Sequence, residues 1–172
     1  YLKNYLQIKN SIQINAYFES MGDCLWDYEG ERIFGGYGFR TDNSAYDEIR
    51  NHIDNEIIEI ELINSNFYHL DTCLCIVNSE TAFYVACAFS VKTIEVLKRS
   101  FSSLIEVDSM EATKFIACNA HCPDGKTILV EQGAIKLQKS CQKIGLRVIP
   151  INTSEFLKSG GSIFCMKNQG WF

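Results

Sequence analysis

The residues with the clearest chemical potential are a cysteine near the end of the chain and a histidine in its middle. Cys165 follows Gly160 and Gly161, whose lack of side chains allows close backbone approach. His69 begins a predicted strand and Asp71 lies two residues further on, so both side chains point to one face. A cysteine becomes nucleophilic when a base or a positive partner favours its thiolate. The pattern is compatible with such chemistry, but spacing alone favours a plainer interpretation, a buried cysteine and an edge histidine.

Two carboxylates lie in the first part of the chain, at the start of its first apolar segment. Glu19 and Asp23 flank the polar entrance of the first apolar segment. Carboxylates gathered around one pocket attract a cationic substrate. A planar guanidinium is a natural candidate, because its fork of N–H donors matches paired carboxylate oxygens.

A zinc site is the main alternative use of the cysteines and histidines. Cys118, His121 and Cys122 are close in the sequence, and Cys73 and Cys75 form another pair. These residues do not make two CxxC-like pairs at the spacing typical of zinc sites. The sequence therefore disfavours a metal ion.

Composition limits the classes of function. The chain has 172 residues, 47% of them apolar and 22% charged, which suits one ordinary globular domain. Its net charge of −5 and its scattered basic residues argue against nucleic acid or an anionic membrane surface as a partner. Its apolar stretches are shorter than the roughly 18–20 residues that span a bilayer. The eight cysteines lie mostly inside apolar runs, which predicts buried free thiols and a cytoplasmic location.

The candidate residues stand at the start of a repeated pattern of elements. Three times a polar cluster leads into an apolar run, a turn and a second run. A predicted helix and a third strand follow, and this plan recurs about every 45–50 residues, which is typical of radial or stacked repeats. Ser90 is the predicted N-cap of the second helix, and Gly145 is the predicted C′ residue of the third. The helices and third strands are predicted at 43–55 and 57–62, 91–100 and 104–107, and 133–144 and 147–151.

A ring of such units would gather the polar entrances near one axis. Each unit has too little sheet to bury both faces alone, so its neighbours must complete it. Residues 2–9 and 11–18 fit the helix and the last strand of an earlier unit. The chain is therefore expected to open partway through a repeat and to hold about three of the units that a closed ring needs.

Several short stretches share their residues and order with a known family of enzymes. The stretches are Phe-Glu-Ser-Met-Gly-Asp at 18–23, Gly-Tyr-Gly-Phe-Arg-Thr-Asp at 36–42, Phe-Tyr-His-Leu-Asp-Thr-Cys at 67–73, Ala-Cys-Asn-Ala at 117–120, Ser-Glu-Phe-Leu-Lys at 154–158, and Gly160-Gly161 with Cys165. Together they resemble the guanidino-group-modifying pentein superfamily. The nearest likeness is to its dimethylarginine dimethylaminohydrolase-like and arginine dihydrolase branch, and arginine deiminases and amidinotransferases are more distant relatives.

This resemblance implies an α/β fold, namely a five-bladed propeller built from ββαβ units. It agrees with the repeat found in the sequence. Under this interpretation residues 1–172 form a single pentein-type catalytic domain. The domain is expected to lack its first one to two blades and to keep about three of five.

The resemblance assigns catalytic roles to three residues. Cys165 is expected to attack the guanidinium carbon as the nucleophile. His69 is expected to protonate the leaving amine and then to activate water, while Glu19 positions His69 and binds a guanidinium nitrogen. The reaction passes through a covalent S-alkylthiouronium intermediate. The resemblance implies neither a metal nor another cofactor.

Three further residues are expected to bind the substrate. Asp71 would hold the guanidinium group, and Asp23 matches the motif but has a structural role as its alternative. Arg40 is expected near the polar end of the substrate, where it could bind a carboxylate. Lys167 departs from the usual family pattern after the cysteine, and it could lower the pKa of the thiol or point to solvent.

The favoured function is a hydrolase that attacks the guanidino carbon of arginine or of an N-methylated arginine. One alternative is an amidinotransferase that passes the amidino group to an amine. Another is a non-catalytic, truncated propeller that binds a partner chain. The expected partner is a small guanidino molecule, and a homo-oligomer or a chain that completes the propeller is also compatible with the sequence.

Overall fold

The computed structural model describes residues 12–167, which form three consecutive units with a small sheet and an outer helix each. Within these residues, none of the helices has the length and apolar character needed to cross a membrane. The fold is mixed α/β, as expected.

The first unit is a three-stranded sheet with one helix. Strand β1 (Cys24–Trp26) pairs antiparallel with β2 (Arg32–Tyr37), and helix α1 (Ser44–Arg50) leads to β3 (Glu56–Glu61). Strand β3 runs parallel to β2, as a strand does after a helical crossover. The unit therefore has the predicted order of strand, strand, helix and strand.

The second unit repeats this order. Strands β4 (Leu74–Ile76) and β5 (Thr81–Tyr84) are antiparallel, and helix α2 (Val91–Ser100) leads to β6 (Ser103–Glu106) beside β5. Helix α2 begins where predicted because the Ser90 side chain accepts a hydrogen bond from the Thr93 amide. The bounds predicted for this helix are confirmed.

The third unit is reduced to two paired strands. Helix α3 (Ser109–Phe115) precedes it, and strand β7 (Thr127–Glu131), helix α4 (Ile135–Lys143) and strand β8 (Arg147–Ile151) form it. A short helix α5 (Ser154–Leu157) and a 3₁₀ turn (Phe164–Met166) follow. Gly145 lies just past α4 with a φ of 87°, in agreement with its predicted C′ role.

Contacts between units make one continuous core. The rings of Phe34 and Phe101 stack with their centroids 5.0 Å apart, and this joins the first unit to the second. The Cys75 thiol reaches the Ala120 carbonyl at 3.7 Å, which joins the second unit to the third. The shared core fixes the three units relative to one another, and with them the loops that precede their first strands.

Two sequence predictions about the first unit and the segment before it are wrong. The first helix ends at Arg50 rather than at residue 55, since the Asn55 side chain donates to carbonyls of the β1–β2 turn. Residues 12–18, which are the described part of the predicted strand at 11–18, form no strand. Their amides at Asn15 and Ala16 donate instead to the Glu48 carboxylate of α1. The helix predicted at 2–9 lies outside the described residues.

Residues 117–120, where the third copy of the sequence repeat begins, form an irregular segment and not a strand. Ile116 just before it has a left-handed backbone with a φ of 45°, which ends α3 and turns the chain. The chain after this segment pairs with β7 through a single antiparallel bridge, between His121 and Leu129. This irregular segment carries Asn119 into the site described below.

Helix α3 was not predicted, and it supports the next helix. The buried Glu111 carboxylate accepts hydrogen bonds from the amides of Lys136 and Leu137, both at 2.8 Å. These amides lie in the first turn of α4, where helical donors have no intrahelical partner. A carboxylate distant in sequence thus caps a helix whose own N-cap residue, Ala134, offers no side-chain acceptor.

Candidate active site

The candidate site forms where three loops meet at one end of the units. A 3₁₀ turn (Ser20–Gly22) precedes β1, another (Leu70–Thr72) precedes β4, and the third (Phe164–Met166) lies near the end of the described chain. The first two turns contact each other, and the third reaches the second through hydrogen bonds. The loops that carry Glu19, Asp71 and Cys165 are therefore brought together, as the repeat predicted. His69 does not begin a strand as predicted, because a 3₁₀ turn follows it and the strand begins at Leu74.

His69 and Glu19 form the first pair of the site. Their Nε2 and Oε2 atoms are 2.5 Å apart, and the side chains are 17% and 42% exposed. Gly22 makes room for the imidazole, because a Cβ there would lie 3.0 Å from its Nδ1 atom. The Tyr68 ring packs edge-on with its centroid 4.8 Å from that of the imidazole. The imidazole is thus oriented by a carboxylate, a glycine backbone and an aromatic ring.

Arg40 lies beside this pair at the surface. Its Nη1 atom is 3.6 Å from Glu19 Oε1, and its guanidinium carbon is 5.4 Å from the centre of the Tyr68 ring. The side chain is about half exposed, which places it at the mouth of the site. It adds a positive group next to the acidic one.

Cys165 and Asp71 form the second pair. The thiol donates to Asp71 Oδ2 across 3.3 Å. The carboxylate is only 3% exposed, and its Oδ1 atom is buried without a hydrogen-bond partner among the described residues. Burial raises the pKa of Asp71 to about 6, while the hydrogen bond from the thiol and the charge of His69 lower it. A buried acceptor oxygen without a donor is rare in folded proteins, which marks Oδ1 as a place for a ligand's N–H group.

The Cys165 thiol favours its protonated form in this setting. Burial raises its pKa above the ordinary value, and the negative charge of Asp71 raises it further. The backbone of Ser162 and the side chain of Asn119 act in the opposite direction through hydrogen bonds. A cation placed beside the sulfur would therefore tip the balance towards the thiolate.

Asp23 is placed differently from Asp71. It is fully buried, its Oδ2 accepts from the Thr41 hydroxyl at 2.7 Å, and its Oδ1 accepts from the Leu70 amide at 2.9 Å. Burial raises its pKa, although these two hydrogen bonds lower it. Both oxygens are engaged within the protein, and they tie the first unit to the turn that carries His69. This arrangement agrees with the structural alternative given for Asp23.

Two residues of the site were not assigned a role from the sequence. Asn119 Nδ2 lies 3.1 Å from the Cys165 sulfur, and the Tyr68 hydroxyl donates to the Gly160 carbonyl at 2.7 Å. Asn119 lies in the Ala-Cys-Asn-Ala stretch at 117–120 that contributes to the family resemblance, which was the available signal. Its contact with Cys165 joins residues far apart in the sequence and could not be derived from spacing.

Lys167 lines a neighbouring pocket of about 490 Å³. Its Nζ atom is 3.4 Å from His121 Nδ1 and lies 3.8 Å from the centre of the Phe164 ring. Burial lowers the pKa of Lys167 to about 8 and that of His121 to about 4. The predicted alternative of a solvent-directed lysine is therefore not observed.

Across residues 12–167, histidines, cysteines and carboxylates form no cluster of three or more suited to a metal ion.

Comparison with known proteins identifies the family. A family model described as N,N dimethylarginine dimethylhydrolase, eukaryotic, matches residues 2–169. An N(G),N(G)-dimethylarginine dimethylaminohydrolase of Mycobacterium tuberculosis is 36% identical over 147 residues, which cover 86% of this chain and 47% of the relative. The bifunctional arginine dihydrolase/ornithine cyclodeaminase ArgZ of Synechocystis sp. is 32% identical over 151 residues, which cover 87% of this chain and 21% of ArgZ.

A solved structure agrees with this match. The N-terminal domain of an ArgZ variant, covalently bound to a reaction intermediate, has a TM-score of 0.82 and 30% identity. The alignment covers 91% of this chain and 57% of that one. This chain thus spans about half or less of the length of the curated relatives reported above. The chain belongs to the N,N-dimethylarginine dimethylhydrolase family of the pentein superfamily.

Proposed function

We propose that this chain carries the nucleophile and the acid/base of a hydrolase that attacks the guanidino carbon of arginine or of an N-methylated arginine. One observation carries the proposal. Asp71 Oδ1 is a buried acceptor without a donor among the described residues, and the other oxygen of the same carboxylate holds the Cys165 thiol. A guanidinium that donates to Oδ1 has its carbon close to the sulfur.

Substrate binding follows from the charges around the sulfur. Asp71 accepts N–H groups from one side of the planar guanidinium, and Glu19 accepts them from the side of His69. Arg40 at the mouth binds the carboxylate of an amino-acid substrate. Asp23 serves as a positioning residue, because both its oxygens are already engaged. The acidic interior and the basic mouth match the two ends of arginine.

The bound cation activates the nucleophile. Its positive charge offsets Asp71, which favours loss of the thiol proton to solvent and leaves a thiolate next to the guanidino carbon. The sulfur forms a bond to that carbon and gives a tetrahedral adduct. His69 then donates a proton to the departing amine, the C–N bond breaks, and an S-alkylthiouronium remains on Cys165.

Water completes the reaction. It attacks the thiouronium carbon while His69 takes up one of its protons, and the C–S bond breaks to return the thiolate. The product is the ureido compound, which is citrulline when the substrate is arginine or its methylated form. The covalent intermediate described for the ArgZ domain supports this route.

The proposal extends to the rest of the domain around the site and to its location in the cell. We infer that the three units are part of a five-bladed propeller in which residues 1–172 contribute a catalytic domain, and that a further chain segment or a second protein supplies the rest of the pocket wall. The coverage of only 57% of the ArgZ domain supports this inference. We also infer a cytoplasmic location, because all eight cysteines are free thiols.

Product analysis tests the proposed function. The purified protein, together with the segment or protein that completes its pocket, is incubated with L-arginine and, separately, with Nω,Nω-dimethyl-L-arginine, and citrulline, ornithine, ammonia and dimethylamine are quantified. The proposal expects an amine and a ureido product, which the Cys165→Ala variant fails to release. Cys87→Ala is the matched control, since Cys87 is an exposed thiol outside the site.

Two outcomes contradict the hydrolase. Transfer of the amidino group to an added amine, such as glycine, in preference to water would identify an amidinotransferase. Equal product release by Cys165→Ala and by the unchanged protein would remove the proposed nucleophile.

A further inference from the structure

We propose that Asn119 stabilises the Cys165 thiolate by donating a hydrogen bond from Nδ2 to the sulfur, with its amide held in that orientation by the loop of the nucleophile itself. The proposal rests on the proposed role of Cys165 as the nucleophile. It assigns a function to a residue of the irregular segment at 117–120, outside the carboxylate and histidine groups discussed above.

Backbone contacts determine which end of the Asn119 amide faces the sulfur. One amide atom lies 3.0 Å from the Ser162 nitrogen and 3.2 Å from the Cys165 nitrogen. Backbone N–H groups can only donate, so the atom that faces them must be the carbonyl oxygen Oδ1. The other amide atom, 3.1 Å from Sγ, is therefore the NH₂ group. A flipped amide would place donors against two donors and leave the sulfur facing an oxygen.

Burial and two further contacts hold Asn119 in place. Asn119 is 1% exposed, so water does not compete for its side chain. Its backbone carbonyl accepts from the Phe164 amide at 3.0 Å, and its Nδ2 also lies 3.4 Å from the Asp71 carbonyl. The same residue therefore contacts Ser162, Phe164 and Cys165 along the nucleophile loop.

The loop is anchored in turn to the third unit. The hydroxyls of Ser162 and Thr153 are 2.8 Å apart, and the Thr153 amide donates to Glu131 Oε2 at 2.7 Å. The Thr153 hydroxyl also donates to the Glu131 carboxylate. Glu131, Thr153 and Ser162 are all buried. This chain of hydrogen bonds connects the end of β7 to the loop, so that Asn119 meets a sulfur in a fixed position.

The contact between Asn119 and the Cys165 sulfur favours the thiolate over the thiol. An amide N–H donates more strongly to a negative thiolate than to a neutral thiol. Asp71 and burial act against the thiolate, and the Asn119 side chain offsets part of their effect before a substrate arrives. The same donor also faces the sulfur when the C–S bond of the intermediate breaks and negative charge returns to it.

Alkylation of individual cysteines tests this inference without any substrate. The purified protein is treated with iodoacetamide across a pH series, and the rate at each cysteine is measured by peptide mass spectrometry. In Asn119→Asp the oxygen that accepts from the loop is kept while the donor is replaced by an acceptor. We expect the pKa of Cys165 to rise by about one unit or more, which lowers its alkylation rate about tenfold below that pKa.

Asn119→Ala separates the loss of the donor from the added charge, and it is expected to raise the same pKa by a smaller amount. Exposed Cys87 is the internal reference and should keep its alkylation profile in every variant. Ser162→Ala is the matched control. It removes the hydroxyl contact with Thr153 but keeps the hydrogen bond from the Ser162 backbone amide to Asn119 Oδ1. The pKa of Cys165 should shift less in Ser162→Ala than in either Asn119 variant, because the donor to the sulfur is kept.

Two results would overturn the inference. One is an unchanged Cys165 profile in both Asn119 variants, which would mean that the donor does not affect ionisation. The other is an equal shift in Ser162→Ala, which would mean that loop position alone sets the thiol pKa. Thermal unfolding of each variant verifies that the fold persists. Because no guanidino compound is present, failure here is distinct from failure of the proposed hydrolase.

Discussion

Replacing Asp71 by asparagine should remove a pH-dependent loss of stability that the buried carboxylate imposes on the fold. The pKa of Asp71 rises from 3.8 to about 6 on folding, chiefly through burial. At about 1.4 kcal/mol per pKa unit, this difference corresponds to about 3 kcal/mol. The site thus holds a charged group that destabilises the folded protein at neutral pH, as ligand-binding groups commonly do.

The direction in which stability changes with pH follows from which state of the protein binds the Asp71 proton. Between pH 3.8 and about 6 the folded protein keeps the Asp71 proton while the unfolded chain has lost it. The stabilising contribution of the protonated group is therefore complete below pH 3.8 and is lost as pH rises through about 6. The Asp71→Asn variant would have no such dependence, because an amide does not titrate in this range. Its NH₂ group leaves a buried donor unpaired, but that cost is the same at every pH.

Urea unfolding from about pH 4 to about pH 8 measures the effect. The free energy of unfolding of Asp71→Asn, relative to the unchanged protein, should increase by up to about 3 kcal/mol over this range. Asp54→Asn, at an exposed loop carboxylate, is the control and should show a flat difference. A flat difference for Asp71→Asn as well would refute the argument that burial of this carboxylate opposes its charge.

The remaining predictions concern the residues around the imidazole. Glu19→Gln keeps the shape but removes the charge next to His69, and kcat/KM for the proposed substrate should fall by roughly 100-fold in steady-state assays, whereas an unchanged value would exclude a role for this contact. Gly22→Ala places a Cβ 3.0 Å from His69 Nδ1, so the imidazole must shift and kcat should drop at least about tenfold with little change in melting temperature. Tyr68→Phe loses the hydrogen bond to the Gly160 carbonyl and should lower the free energy of unfolding in urea by about 1 kcal/mol, and no change would show that this bond does not hold the loop.

Local chemistry made much of the fold predictable. Helix α2 could be placed from Ser90 because an N-cap acts within three residues, and Gly145 ended α4 for a similarly local reason. The repeat predicted that equivalent loops of neighbouring units lie at the same end, whereas the contact between Glu19 and His69 was expected from the family resemblance. Helix caps and repeats are patterns that a sequence displays directly.

Long-range contacts account for what the sequence did not reveal. Asn119 and Cys165 are 46 residues apart, and their contact depends on the left-handed turn at Ile116, a conformation not evident from that residue type. The oxygens of Asp23 are engaged by Thr41 and by the Leu70 amide, the latter 47 residues away. Sequence spacing can therefore suggest which residues form a site, but the number of free acceptor atoms is known only from the fold.

Peptide mass spectrometry of Cys165 tests the central claim most directly. The protein is mixed with Nω,Nω-dimethyl-L-arginine, quenched with acid within the first turnovers and digested. We predict an adduct on Cys165 with the mass of the substrate minus dimethylamine, absent from Cys87 and absent at residue 165 in Cys165→Ala. An unmodified Cys165 in reactions that release dimethylamine would contradict the claim that its sulfur attacks the guanidino carbon.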